Sequence, residues 1–198
     1  ETDAIARYNV RTFGRPSHAG LRLSEGRSAI RKMAETIIAI ETMSQADCTF
    51  SVGVTHAGQW VNCVSSLATA EVLSMAKNQT DLDAGIEKML ALNDPAAEVS
   101  TTVTLGLTRP VWEASPATIK LVAMAESLAK DLGHPFRHES SGGGSDGNFT
   151  GAMGVPTLDG LGVAGDKFHT LEEHIEIDSL AMRGRMMAGL LMQIDADL

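Results

Sequence analysis

The sequence predicts a mixed α/β chain in two parts: a four-stranded α+β domain, then the C-terminal part of an α/β domain. Three observations carry this. Patterns between about Arg7 and Leu107 run in the order β-α-β-β-α-β. A punctuated segment, Pro110 to Pro116, separates them from a stretch of different texture. In that second stretch the strand-like pieces are too few and too short to build a sheet alone.

The elements of the first part follow from periodicity. Tyr8, Val10 and Thr12 recur every second residue, as in a half-buried strand. Gly14-Arg15-Pro16-Ser17-His18-Ala19-Gly20 interrupts it. Ile30, Met33, Ala34, Ile37 and Glu41 fall at helical spacing, which predicts a helix from about Glu25 to Met43. Phe50, Val52 and Val54 mark a second strand, Gly58 to Val61 a turn, and Leu67 to Met75 a third strand. Thr80 ahead of Asp81 and Asp83 reads as a helix start with acids in its first turn. Leu82, Ile86, Met89 and Leu90 form that helix's apolar stripe. Val99, Thr101, Val103 and Leu105 give the fourth strand. This order is the split, ferredoxin-like unit.

In the second part, Ser115-Pro116 opens a helix with proline at its first position. Ile119, Val122, Leu128 and Leu132 read as its buried face, and Gly133 closes it. An extended piece, Pro135 to Glu139, leads into the glycine run. Asp146 to Met153 reads as a short helix and Thr157-Leu158-Asp159 as a short strand. Leu180, Met187, Leu190, Leu191 and Ile194 make a last amphipathic helix. A core this small rarely supplies more than about 3–5 kcal/mol, and parallel strands need covered neighbours. The stretch from Pro110 to Leu198 therefore reads as a fraction of a larger α/β domain.

The composition excludes several functions. The chain of 198 residues carries a formal charge of −9 with its basic residues scattered, which disfavours a nucleic-acid partner. No apolar run approaches the ~20 residues that span a bilayer, so no membrane association is expected. Glu1-Thr2-Asp3 opens no basic and apolar leader. Two cysteines build no disulfide framework, and Cys48 and Cys63 read as buried, reduced thiols. A cytoplasmic location fits these features.

Chemistry concentrates in a few places. Ser141-Gly142-Gly143-Gly144-Ser145-Asp146 lacks the phosphate-loop fingerprint. Its bare N–H groups suit a carboxylate or carbonyl oxygen, or the run is a plain turn. His169, between Gly165-Asp166 and Glu172-Glu173, is a candidate metal ligand or a surface histidine among acids. His18 lies in the break after the first strand. Asn62 sits in a loop where it could bind a ligand or cap a turn. Arg109, at a strand end, could clamp a carboxylate through its guanidinium fork.

Taken in order, these segments resemble one family. They are Gly14-Arg15-Pro16-Ser17-His18-Ala19-Gly20 with Gly26-Arg27-Ser28-Ala29-Ile30, Val61-Asn62-Cys63-Val64, Arg109-Pro110, Gly142-Gly143-Gly144-Ser145-Asp146-Gly147-Asn148-Phe149, and Leu158-Asp159-Gly160-Leu161-Gly162 through His169-Thr170 to Glu173. The chain resembles the di-zinc metallopeptidases and amidohydrolases that include glutamate carboxypeptidase, aminoacylase, acetylornithine deacetylase and succinyl-diaminopimelate desuccinylase. Asp159-Gly160-Leu161-Gly162 is most like the glutamate carboxypeptidase branch.

The resemblance implies a catalytic α/β domain interrupted by a ferredoxin-like lid that also pairs two subunits into a homodimer. It implies that the first lid strand begins near Ile5, so that the expected domains are residues 5–109 and residues 110–198, and that the first half of the catalytic domain, with most ligands of the two Zn2+ ions and the general base, is absent here. His169 corresponds to the last zinc ligand. His18 corresponds to a lid histidine that reaches the partner subunit's site and steadies the tetrahedral intermediate. Asn62 and Arg109 correspond to positions that bind the substrate carboxylate, and Gly143 and Gly144 to the loop lining the pocket. Ser65 stands where proline is common in the family. The expected activity is zinc-dependent cleavage of an amide beside a free carboxylate in a small peptide, with the fragment inactive alone. The alternatives are a non-catalytic dimerisation module and a deacylase of N-acyl amino acids.

Overall fold

The computed structural model describes residues 1–134 and 136–194. The chain divides into two compact units. One comprises Thr2–Val111 with Gly142–Gly144. The other comprises Glu1, Trp112–Ser141 and the residues from Ser145 onward.

The first unit has the ferredoxin-like order β1 (Ala4–Phe13), α1 (Ala29–Thr42), β2 (Cys48–Ala57), β3 (Leu67–Ala76), α2 (Gln79–Leu90) and β4 (Ser100–Arg109). Its antiparallel sheet runs β2-β3-β1-β4, so β1 lies inside and β2 and β4 are edges. The period-two pattern of β1 puts Tyr8, Val10 and Thr12 on the buried face and Arg7, Asn9 and Arg11 on the open one. Met33 and Ile40 of α1 and Leu82 and Met89 of α2 pack with Tyr8, Val10, Phe50, Val72 and Val103 into one core. Inside it the Tyr8 hydroxyl hydrogen-bonds Ser74 Oγ at 3.1 Å.

Both helices start where a side chain satisfies a free N–H. Ser28 Oγ accepts from the Arg31 N–H at 3.1 Å, so α1 starts at Ala29 rather than near Glu25. Residues Leu23–Glu25 form a separate 3-10 turn. Asn78, not Thr80, caps α2, its Oδ1 accepting from the Asp81 N–H at 2.9 Å. Ile30 and Leu90 lie outside the buried stripes and are exposed.

The second unit holds α3 (Pro116–Asp131), α4 (Gly147–Ala152), β5 (Gly165–Asp166), β6 (His174–Ile175) and α5 (Ser179–Gln193). Ser115 caps α3, accepting from the Thr118 N–H at 3.1 Å. The buried face of α3 is Thr118, Leu121, Ala125 and Ala129, while Ile119 and Leu132 are exposed. Helix α5 buries Ser179, Met186 and Leu190, and leaves Met187 and Leu191 exposed. Gly189 of α5 lies against the Leu128 side chain of α3, so the glycine makes room for a leucine where the two helices meet. Residues Thr157–Asp159 are irregular rather than a strand. The only strands among the described residues of this unit are the two-residue pair β5-β6. The extended piece expected to begin at Pro135 starts outside the described residues, and the 110–198 domain expected from the sequence likewise runs past them at 195–198.

Candidate functional site

The loop after β1 is stapled back onto the sheet unit by backbone pairing. The Gly14 N–H donates to Ser66 O at 2.9 Å, and Arg15 and Arg27 exchange both peptide hydrogen bonds at 2.9 and 2.8 Å. Gly14 is needed there, because a Cβ would collide with the backbone of Arg27 and Ala29. Further along, the Val64 N–H donates to Ser17 O at 2.9 Å and the Ala19 N–H to Asn62 O at 3.0 Å. His18 thus lies opposite Cys63 in an antiparallel bridge. Two candidates far apart in sequence, His18 and Asn62, occupy adjacent rungs of one small pairing, and both are exposed.

Side chains support this loop. Arg27 Nε lies 2.6 Å from Glu98 Oε1, and Arg27 Nη1 donates to Gly26 O at 2.7 Å and Ser24 O at 3.0 Å. Arg15 Nε donates to Glu25 O at 2.7 Å. The hydrogen bond from Arg27 holds the Glu98 carboxyl below the usual carboxylate range, and Glu98 in turn raises Arg27. Ser65 ends the Asn62 loop: its Oγ donates to Leu67 O at 2.9 Å and its carbonyl accepts from the Ala29 N–H at 2.9 Å. The loop is therefore tied down by a serine hydroxyl.

Arg109 is the last residue of β4 and pairs in register with Ile5. Gly144 belongs to the same compact unit. A Cβ there would strike the Ile5 side chain and reach 3.8 Å from Arg109 Cδ, so only glycine lets the run lie this close to the end of the sheet. The structure thus brings Arg109 and Gly144 together, with Gly143 the adjoining residue. In the other unit, Asn148 is fully buried and its Oδ1 accepts from the Ser145 N–H at 2.8 Å. Ser145 Oγ accepts from the Gly147 N–H at 2.9 Å. Asp146, at the start of α4, makes no side-chain cap bond to it. The available signal was an asparagine three residues after Ser145, the spacing at which a side chain reaches back to the first N–H as in a capping box.

His169 lies in the second unit, on the turn between β5 and β6. It is exposed, with φ +64° beside Lys167 at φ +60°, and its N–H donates to Glu173 Oε2 at 3.1 Å. Lys167 pairs with Glu172. Glu173 therefore fixes the turn through the backbone. Among the described residues, no three His, Cys, Asp or Glu side chains converge on a common point. His169 is one potential donor, and the described residues alone do not fit a metal centre.

The cysteines differ from expectation. Cys48 is half-buried and Cys63 is exposed, because its bridge with His18 lies at the surface. Burial raises the Cys48 thiol. No described helix is long and apolar enough to cross a membrane.

The first unit is a ferredoxin-like sheet with paired loops, and a second compact unit follows it. Residues 1–100 match the model of the peptidase dimerisation domain of the M20 family. The chain belongs to that family. It is 29% identical over 206 residues to carboxypeptidase G2 of Pseudomonas sp. (strain RS-16), an alignment that covers 98% of this chain and 48% of that protein. In fold it is similar to a tripeptidase from Staphylococcus aureus, with TM-score 0.70, 23% identity and coverage of 96% of this chain and 51% of that one. It is likewise similar to aminopeptidase PepT from Bacillus cereus, with TM-score 0.66, 24% identity and the same coverage. The chain spans about half the length of the curated relatives it matches.

Proposed function

We propose that this chain is part of a zinc-dependent hydrolase of carboxypeptidase type, which cleaves an amide bond beside a free carboxylate in a small peptide or N-acyl amino acid. The observation that carries the reading is the similarity to carboxypeptidase G2 along nearly the whole chain. The paired His18 and Asn62 loops support it, since they present two polar groups from one rigid bridge.

In this reading His18 is carried by the lid of one subunit and donates a hydrogen bond to the oxyanion that forms in its partner. Asn62 and Arg109 take the substrate carboxylate, with the Arg109 fork suited to a bidentate contact. Gly143 and Gly144 line the pocket with bare backbone. His169 supplies one ligand of a two-zinc centre. The described residues do not form such a centre, so the work assigned to them is substrate binding and hydrogen-bond donation. The protein works as a homodimer paired through the lid, in the cytoplasm, without a nucleic-acid or membrane partner. The lid's edge strand β2 and the exposed Ile30 and Ile38 of α1 offer surface for that pairing.

The lack of a ligand cluster among the described residues favours a second reading for the isolated chain: a pairing module without hydrolysis. The test is hydrolysis of N-acylglutamate and dipeptide substrates, with added zinc, by the 198-residue chain and by any longer polypeptide that contains it. The longer form should hydrolyse them, and its His18→Ala variant should keep its zinc content while losing turnover. The 198-residue chain should sediment as a dimer and turn over nothing. Unchanged turnover in His18→Ala removes the role of His18, and hydrolysis by the 198-residue chain removes the pairing-module reading.

A further inference from the structure

His18 makes two contacts that sequence patterns do not show. Its Nδ1 accepts hydrogen bonds from the backbone N–H groups of Gly20, at 3.1 Å, and Leu21, at 3.2 Å. Its carbonyl accepts from the Arg22 N–H at 3.0 Å. The residue therefore stands as a helix N-cap does, with the imidazole in the place of a serine or aspartate oxygen. An N–H cannot point at another N–H. With two donors aimed at Nδ1, that atom must present its lone pair, and the single proton of the neutral ring resides on Nε2.

From this geometry we infer that the Ala19–Leu21 turn is a positioning device that fixes the tautomer of the neutral His18 ring, with the proton on Nε2 and Nδ1 as acceptor, Gly20 and Leu21 being the positioning residues. Nε2 is the ring atom farther from the main chain, and His18 is an exposed residue. The bridge to Cys63 on one side and the Arg22 hydrogen bond on the other keep the turn in register with the ring. The use of this tautomer in catalysis rests on the proposed role of His18; the tautomer itself does not. A ring held this way offers an oxyanion a donor at no reorganisation cost. Gly20 also suits the turn sterically: a Cβ at that position meets only the His18 ring, at an ordinary 3.7 Å.

The experiment is nitrogen-15 NMR of the histidine rings in the 198-residue chain near neutral pH, alongside a short histidine peptide. His18 should show one tautomer, with Nε2 protonated and Nδ1 unprotonated, and a smaller Nδ1–H fraction than the peptide shows. A tautomer mixture equal to the peptide's, or a protonated Nδ1, overturns the inference. Gly20→Pro removes one of the two donors and should raise the Nδ1–H fraction. Gly20→Ala keeps the N–H and should match the wild type. If Gly20→Pro keeps the wild-type ratio while folded, the positioning role is wrong. The wild-type spectrum decides the tautomer even where the proline variant does not fold. None of these readouts depends on hydrolysis, so failure here and failure of the proposed function are separate results.

Discussion

The main chain of His18 lies opposite that of Cys63 in an antiparallel bridge, which sets the Ala19 N–H 3.0 Å from the carbonyl oxygen of Asn62. Two surface loops thereby behave as one part. Movement of either loop carries the other, and the support reaches back through Arg15 and Arg27 to Glu98. This support, the thiol beside it and the core below it can each be tested.

Glu98 makes the loop support sensitive to acid. Its pKa in the folded chain is depressed, chiefly by the hydrogen bond from Arg27. The stabilisation is therefore present above the unfolded carboxylate pKa and is lost as pH falls through the lower, folded value. Amide exchange at Arg15 and Arg27 should accelerate relative to the intrinsic rate on acidification below about pH 4. In Glu98→Gln the protection should already be reduced at neutral pH and should lose most of that dependence. Equal pH dependence in the two proteins would show that the ion pair does not hold the loop.

The two thiols should differ in reactivity. Cys63 is exposed, whereas Cys48 is half-buried with its thiol raised by burial. The thiolate is the reacting form, and burial reduces both its population and its access. A maleimide or disulfide reagent at neutral pH should modify Cys63 first in the folded chain, with Cys48 following only on unfolding. Peptide mass mapping after brief labelling reads the order. Labelling of Cys48 ahead of Cys63 would contradict the structure.

Tyr8 and Ser74 form a hydrogen-bonded pair inside the sheet unit, with exposures of 1% and 0%. Tyr8→Phe leaves the Ser74 hydroxyl buried without this partner and should cost about 1–3 kcal/mol. Ser74→Ala should cost a similar amount for the converse reason. The double variant should be less destabilised than the sum, because neither group is then left unmatched. Urea unfolding of the four proteins, followed through the sheet unit, measures the coupling. Strict additivity would mean the pair contributes nothing specific.

The elements of the first unit were legible in the sequence because β1 and β3 alternate between a covered and an open face and its two helices carry buried stripes. Alternation at Tyr8, Val10 and Thr12 maps directly onto the burial of β1. The helix starts differ by a few residues from those the sequence suggests, because several capping residues stand near each start. The second unit was harder to read. Of the expected stripe Ile119, Val122, Leu128 and Leu132, Val122 and Leu128 are half-buried and Ile119 and Leu132 exposed, because the buried stripe Thr118, Leu121, Ala125 and Ala129 is turned round the helix from it.

For the candidate site, residue types and their order were sufficient to single out His18, Asn62, Arg109, the glycine run and His169. Their grouping was not legible. A pairing between residues 18 and 63 is a long-range contact, and no local pattern encodes its register. The same holds for Gly144 against Ile5, which depends on where the run returns to the sheet.

By itself, then, the sequence determined the order of the strands and helices of the first unit and the chemical types available to a site, because local periodicity and capping are written in neighbouring residues. Only the tertiary structure decided that His18 and Asn62 share a bridge, that Cys63 is exposed and that Nδ1 of His18 faces two amides. Those facts arise when distant backbones exchange hydrogen bonds, and the partner of a backbone N–H is set by the whole fold rather than by the side chain it carries.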